Sequence, residues 1–146
     1  MISELIKIYD RDILKLKQEI EMFMHEPNLW ATTGNIKNPA GNLCLHLVGN
    51  LKTYIGKNLG NYDYVRDRPA EFSTRDVSKQ TLIQQIDETR EIVISSLKKM
   101  NDPQLEETYV EDVLGYQMTN GFFLVHLAAH LSYHLGQVNY LRRILE

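Results

Sequence analysis

The residues of this chain best suited to binding a metal are its histidines, three of which share one short stretch. His126, His130 and His134 follow one another at four-residue steps. In a helix, that step places side chains on nearly one face, with about 6 Å of rise between neighbours. Adjacent members can share one ion, but the outer two lie about 12 Å apart and cannot both join the middle one. At most two of these histidines are therefore ligands of a single ion, and the remaining ligands come from elsewhere.

The apolar stripe of the same stretch indicates which pair faces the interior. At about 100° per residue, the stripe centre lies roughly 35° from His134, 75° from His130 and 115° from His126. His130 and His134 therefore point at or beside the core, and His126 drifts to the flank. A divalent cation satisfies two buried neutral imidazoles at once, and a hydrogen-bonded polar layer is the alternative. The sequence argues against a zinc-protease motif, which needs Glu straight after its first His, because Leu127 follows His126 and Leu131 follows His130.

A further ligand must come from another element, and His46 is the candidate. It lies in the middle of a second apolar stretch, one turn before Asn50. Periodicity alone does not select it, because it lies more than about 90° from the apolar face of its helix. His25 competes with it, but its position beside Pro27 is typical of a solvated residue at a helix end.

Four helical stretches must position these side chains. Apolar residues at three- and four-residue steps predict helices over about 3–24, 39–58, 78–100 and 120–145. Ser3 and Thr119 are the predicted N-caps of the first and fourth helices. Pro39 is predicted in the first turn of the second helix, and Gly60 with Asn61 is predicted to end that helix. The prediction is an all-α four-helix bundle.

Two connections in this bundle are longer than simple turns. Residues 61–76 form a polar connection between the second and third helices, which suits an order other than simple up-and-down. Residues 107–118 are predicted to form a short extended or hairpin-like linker. The loops 26–38 and 61–76 contain no recognisable functional motif, so they do not identify the substrate.

The composition of the chain limits the classes of protein to which it can belong. The 146 residues predict a single domain over 1–146, and 43% hydrophobic with 24% charged residues is typical of a globular chain. No apolar stretch is long enough for a membrane span and no signal peptide is evident, so we expect a cytoplasmic protein. The net charge of −3 argues against binding to nucleic acid. The single cysteine, Cys44, excludes an internal disulfide, and its apolar neighbours favour a buried inert thiol over a nucleophile.

The motifs around these histidines resemble those of the DinB/YfiT-like metalloenzyme superfamily. That superfamily has a His in a leucine-rich second helix, here LCLHLVGN with His46. Its last helix reads His-x-x-x-His followed by x-Gly-Gln, here HLSYHLGQV with His130, His134, Gly136 and Gln137. The resemblance covers essentially the whole chain. One departure is Leu135, where many members have Arg.

The resemblance implies a metal-binding triad of His46, His130 and His134, an up-down-down-up bundle and a homodimer. His126 is then not a ligand. Three histidines leave a coordination position open, as in catalytic zinc sites, and nickel, iron or manganese are alternatives to zinc. Some relatives are transferases or isomerases that use low-molecular-weight thiols. The resemblance therefore implies a metal-dependent thiol S-transferase.

Other interpretations stay open at this stage. The protein can be a stress-associated metal-binding and dimerising module without turnover, or a bundle whose histidines form a polar layer. A hydrolytic reaction also remains open, because a metal with an open position can activate water. No acid or base is assigned by the sequence. Residues near the ligands are candidates for supporting them, namely Asn50, Tyr133 and Gln137.

Overall fold

The computed structural model describes the whole chain, Met1–Glu146, as an all-helical bundle without a β-sheet. Its α-helices are α1 (Ile2–Met22), α2 (Ala40–Leu51), α3 (Asn58–Gly60), α4 (Arg68–Ser73), α5 (Lys79–Lys98) and α6 (Asn120–Leu145). A π-helical segment, Lys52–Lys57, joins α2 to α3 without a break, so these three form one long helix. Short 3-10 turns occupy Glu26–Trp30 and Asp102–Glu106. The predicted all-α fold with four long helices is confirmed.

Contacts at the ends of α1 give the directions of three long helices. The backbone N–H of Ile2 donates to Asp102 Oδ1 at 3.0 Å, so the start of α1 lies beside the end of α5. The N–H of Met24 donates to Glu146 Oε1 at 3.0 Å, so α1 and α6 end together. Helices α1 and α6 are therefore parallel, and α5 is antiparallel to both.

The direction of α2 follows from its two ends. Near its start, Gly41 lies against the ring of Trp30, whose indole N–H donates to the carbonyl of Val77, just before α5 begins, at 3.2 Å. Beyond its end, Gly60 packs directly on Ser96, close to the end of α5. Helix α2 therefore runs parallel to α5, and the order is up-down-down-up, as predicted. Parallel neighbours need a connection that returns along the bundle, which explains the length of the segment containing α4.

One continuous core of 27 buried residues holds the helices together. Each fully buried Leu, Ile or Phe contributes about 1.5–3 kcal/mol through the water-exposed area it removes. The largest fully buried side chains are Tyr9, Phe23 and Phe123. No helix has the length and apolar character needed to cross a membrane.

Several predicted boundaries need correction. Helix α1 begins at Ile2 with Met1 as its N-cap, so Ser3 lies inside the helix and does not cap it. Pro39 is the N-cap of α2 and not a residue of its first turn. The prediction for Thr119 is confirmed, because its side chain accepts from the N–H of Phe122.

The two predicted irregular regions also have defined structures. Asn61 ends the second long helix in a left-handed conformation with φ of 55°. Residues 107–118 contain no helix, and their two ends pair as the predicted hairpin-like linker requires: Thr108 forms an antiparallel bridge with Thr119, and the N–H of Tyr109 donates to the carbonyl of Met118 at 2.8 Å.

Candidate metal centre

Three predicted residues meet at one place in the bundle. His46 of α2 and His130 and His134 of α6 each offer one ring nitrogen, and these atoms all lie within 4.8 Å of one another. The Nε2 atoms of His46 and His130 are 3.2 Å apart. Two nitrogens bound to one tetrahedral zinc ion at 2.0–2.1 Å are separated by about 3.3 Å. The widest pair would close by at most about 1.5 Å to reach that separation, so the donor set fits a divalent metal.

The helix-wheel angle of His46 does not predict how deeply this residue is buried. Every residue of α2 is buried except Leu45, which is partly exposed, so this helix has no solvent face. Helices α4, α5 and α6 all pack against it. An angle from an apolar face therefore says nothing about burial here, and His46 is only 6% exposed.

His46 is held by a carboxylate that the sequence analysis did not identify. Its Nδ1–H donates to Oε1 of Glu71 in α4 at 3.1 Å, which leaves Nε2 with its lone pair toward His130. Metal-ligating histidines commonly donate their other N–H to a carboxylate, which fixes the tautomer and the orientation of the ring. Glu71 therefore orients His46 as a ligand would be oriented.

A guanidinium keeps that carboxylate charged. Nε and Nη2 of Arg66 donate to the two oxygens of Glu71 at 2.8 and 2.9 Å. Burial alone would raise the pKa of Glu71, but the hydrogen bonds and charges of His46 and Arg66 outweigh it and lower that pKa. The carboxylate is therefore ionised at neutral pH and accepts from both neighbours.

A glycine lets α4 approach closely enough for these contacts. A Cβ atom on Gly49 would overlap the carboxylate of Glu71. Helix α4 starts from Asp67, whose side chain accepts from the N–H of Ala70 at 3.2 Å, with Pro69 in its first turn. This Asp-x-Pro start is a recognisable helix signal in the sequence. It predicts α4, but it does not predict that Glu71 reaches His46.

His134 is oriented from its own helix. Its Nδ1–H donates to Oε1 of Gln137 at 2.6 Å, which leaves Nε2 as the free nitrogen. Burial lowers the pKa of His134, and the nearby His46 adds to this, while the hydrogen bond to Gln137 acts in the opposite direction. The structure thus gives Gln137 a supporting contact, whereas Tyr133 is 64% exposed and meets the ring of His134 edge-on.

His130 is the member of the cluster without an outer partner. Burial, and then the neighbouring His134 and His46, lower its pKa to about 4, so its ring is neutral at pH 7 and has a lone pair to offer. Its Nδ1 is buried and makes no hydrogen bond, and the same holds for Oδ1 of Asn50. Such atoms are uncommon in native proteins, and an absent water or ion is one explanation for them.

Two cavities flank the cluster. The larger cavity has a volume of about 520 Å³, and His134 forms part of its wall. Its lining is mainly apolar and aromatic and consists of Ile36, Lys37, Asn38, Leu43, Tyr133, His134, Gln137, Tyr140, Leu141 and Ile144. The smaller cavity has a volume of about 180 Å³, and His46 and His130 form part of its wall. The other residues of its lining are Asn50, Tyr54, Arg66, Arg68, Val113, Phe123, His126 and Leu127.

The remaining candidate residues lie outside the cluster. His126 stacks on Phe123, with ring centroids 5.8 Å apart and an interplanar angle of 8°. His25 is exposed, and its backbone N–H donates to Glu146 at 3.1 Å. Cys44 is fully buried, and burial raises the pKa of its thiol to about 12, so it is not poised as a nucleophile.

Fold and site together define a helical-bundle protein with a three-histidine cluster able to hold a metal ion. The chain belongs to the family described as Protein of unknown function (DUF1572), whose model matches residues 4–146. The matched region contains all three histidines and the whole of α2 to α6. No curated protein matches the chain significantly.

Proposed function

We propose that this protein binds one divalent metal ion through Nε2 of His46, His130 and His134. The observation that carries the proposal is the convergence of three imidazoles, two of them with Nδ1 already used by Glu71 and Gln137. Zinc is the expected metal, with nickel, iron or manganese as alternatives, because imidazole discriminates weakly among them.

We further propose that the family to which the chain belongs is part of the DinB/YfiT-like superfamily, and that the protein is a thiol S-transferase. The two histidine motifs and the up-down-down-up order support this assignment. A metal held by three histidines keeps a position free, from which it can lower the pKa of a thiol or activate water. The chain's own contribution is to orient His46 and His134 through Glu71 and Gln137 and to keep His130 neutral by burial.

The larger cavity supports a low-molecular-weight thiol as one substrate. Its lining is mainly apolar and aromatic, and His134 places it next to the cluster. Lys37, Asn38 and Gln137 supply a few polar groups among the apolar ones. Such a mixture is typical of pockets for small molecules, where apolar contact provides affinity and polar groups fix the orientation.

Metal content is the first test of this function. Elemental analysis of untagged protein is expected to give about one equivalent of metal per chain, lost in His46→Ala and in His134→Ala. His126→Ala is the matched control and is expected to retain the metal, because His126 lies outside the cluster. Retention of metal in His46→Ala would refute the triad, and no metal after reconstitution with zinc, nickel and manganese would leave the polar-layer interpretation.

An alternative function is a metal-binding module that acts through dimerisation without turnover. One observation favours it: exposed apolar side chains follow a single face of α6 at helical spacing, namely Phe122, Val125, Tyr133, Tyr140 and Ile144. Such a stripe is typical of an interface, and we propose a homodimer through it. Sedimentation equilibrium is expected to give a dimer that dissociates in Val125→Glu. Turnover of a thiol with an electrophile by the metal-loaded protein separates the enzyme from the module.

A further inference from the structure

The smaller cavity beside the cluster is basic. Arg66 and Arg68 both line it, and its lining contains no carboxylate. The remaining polar side chains of the lining are those of asparagine, tyrosine and histidine. A cavity with this lining favours a negatively charged occupant.

The two guanidinium groups differ in how far their charge is already compensated. Arg66 is paired with Glu71, which neutralises most of its effect. Arg68 makes no ion pair; its guanidinium lies 5.4 Å from the ring centroid of Phe72, which in turn lies 4.9 Å from the ring of His46. Arg68 is thus an uncompensated cation one aromatic ring away from the cluster.

A second observation also points to an occupant. The side-chain amide of Asn50 is only 6% exposed, lines the same cavity and makes no hydrogen bond, so its NH₂ group can donate to an anion there. A buried amide without a partner favours an occupant that accepts a hydrogen bond from it. The cavity volume of about 180 Å³ corresponds to about six water molecules, enough for a carboxylate or phosphate with a few carbon atoms.

We propose that this cavity binds the oxyanion group of a substrate, with Arg68 as its principal contact and Asn50 as a polar neighbour. The substrate class is then a small organic anion that carries a carboxylate or phosphate group beside its reacting atom. This inference extends the proposed function, because it places the anion next to the metal ligands, but anion binding itself does not require the metal. An arginine fork recognises both kinds of oxyanion, so experiment must separate them.

The test is an NMR titration of the ¹⁵N-labelled protein, metal-free and zinc-loaded, at fixed ionic strength. The probes are succinate, its neutral analogue succinamide and, for the metal-free protein, inorganic phosphate. Arg68→Gln is the test variant, and Arg143→Gln is the control, because Arg143 is also exposed but lies outside the cavity. We expect succinamide not to bind and the Kd of succinate to rise about ten-fold in Arg68→Gln only, through loss of a charge-assisted hydrogen bond.

Each outcome has a defined meaning. Tighter binding of succinate than of phosphate supports a carboxylate substrate, and the reverse supports a phosphate ester. Equal affinity for succinate and succinamide, or equal effects of the two arginine variants, would overturn the proposal. Anion binding in a wild-type protein that takes up no metal would refute the proposed metal site while supporting the anion cavity, so the two failures are distinguishable.

Discussion

Replacing Glu71 by Gln tests how the protein prepares His46 for a metal. The carboxylate accepts from Nδ1 of His46 at 3.1 Å, and loss of such an outer hydrogen bond typically weakens metal affinity by 10- to 100-fold. That range corresponds to about 1.4–2.7 kcal/mol of binding free energy. The change also removes the charge opposite Arg66, whose side chain is only 13% exposed, so we expect the free energy of unfolding to fall by about 1–3 kcal/mol.

The two effects are measured separately. Competition for zinc with a chromophoric chelator gives the metal Kd, and guanidinium unfolding of the metal-free protein gives the stability. Asp87→Asn is the matched control, because Asp87 pairs with Lys17, both side chains are partly exposed and neither touches the cluster. It is expected to leave the metal Kd unchanged and to cost less than about 1 kcal/mol in stability. If Glu71→Gln lowers stability but binds zinc as tightly as the wild type, Glu71 is a structural ion-pair partner and the orienting role is refuted.

Three further predictions follow from the same structure. Gly49→Ala, which would force Glu71 away, is expected to lower the free energy of unfolding by about 1–3 kcal/mol and to weaken zinc binding, both measured as above; unchanged zinc affinity would contradict it. Because folding lowers the pKa of His130 from 6.5 to about 4, the unfolded state binds more protons between these pH values, so stability of the metal-free protein should fall on acidification through that window. Urea unfolding across this pH range measures it, and a flat profile would refute the neutral buried ring. Cys44, whose thiol pKa is raised to about 12, is expected to resist iodoacetamide at neutral pH until the protein unfolds, and rapid alkylation of the native protein would contradict its burial.

Local signals in the sequence predicted most of the fold. Thr119 caps α6 and Asn61 ends the second long helix because these residue types satisfy helix ends by themselves. Helical periodicity likewise predicted four helices, since each buries an apolar face. Ser3 failed as a cap because the chain is already helical from Ile2, and a cap residue inside a helix gives the same sequence signal.

The candidate site was predictable only in part. The spacing of His130 and His134 placed them on one face of α6 from local geometry alone. The resemblance, and not the periodicity, selected His46. Glu71 was not predicted, since its contact with His46 spans 25 positions and depends on how α4 folds back over α2. No local sequence pattern predicts such a contact. The need for a glycine at position 49 is likewise evident only when α4 is known to pack against it.

The outer hydrogen bonds favour a metal site over a polar layer of histidines. In a metal-free layer, Nδ1–H of His46 is committed to Glu71, so its Nε2 must accept the proton that lies between it and Nε2 of His130. His130 then keeps a bare Nδ1 lone pair, buried and unpaired, at a cost of about 1–3 kcal/mol. If His46, His130 and His134 held a metal through Nε2, the ring proton of His130 would lie on Nδ1, where it could donate to a water molecule in the adjoining cavity. A metal ion would take a lone pair from each of the three histidines, whereas in a polar layer the single Nε2 proton of His130 can pair with only one of its two neighbours.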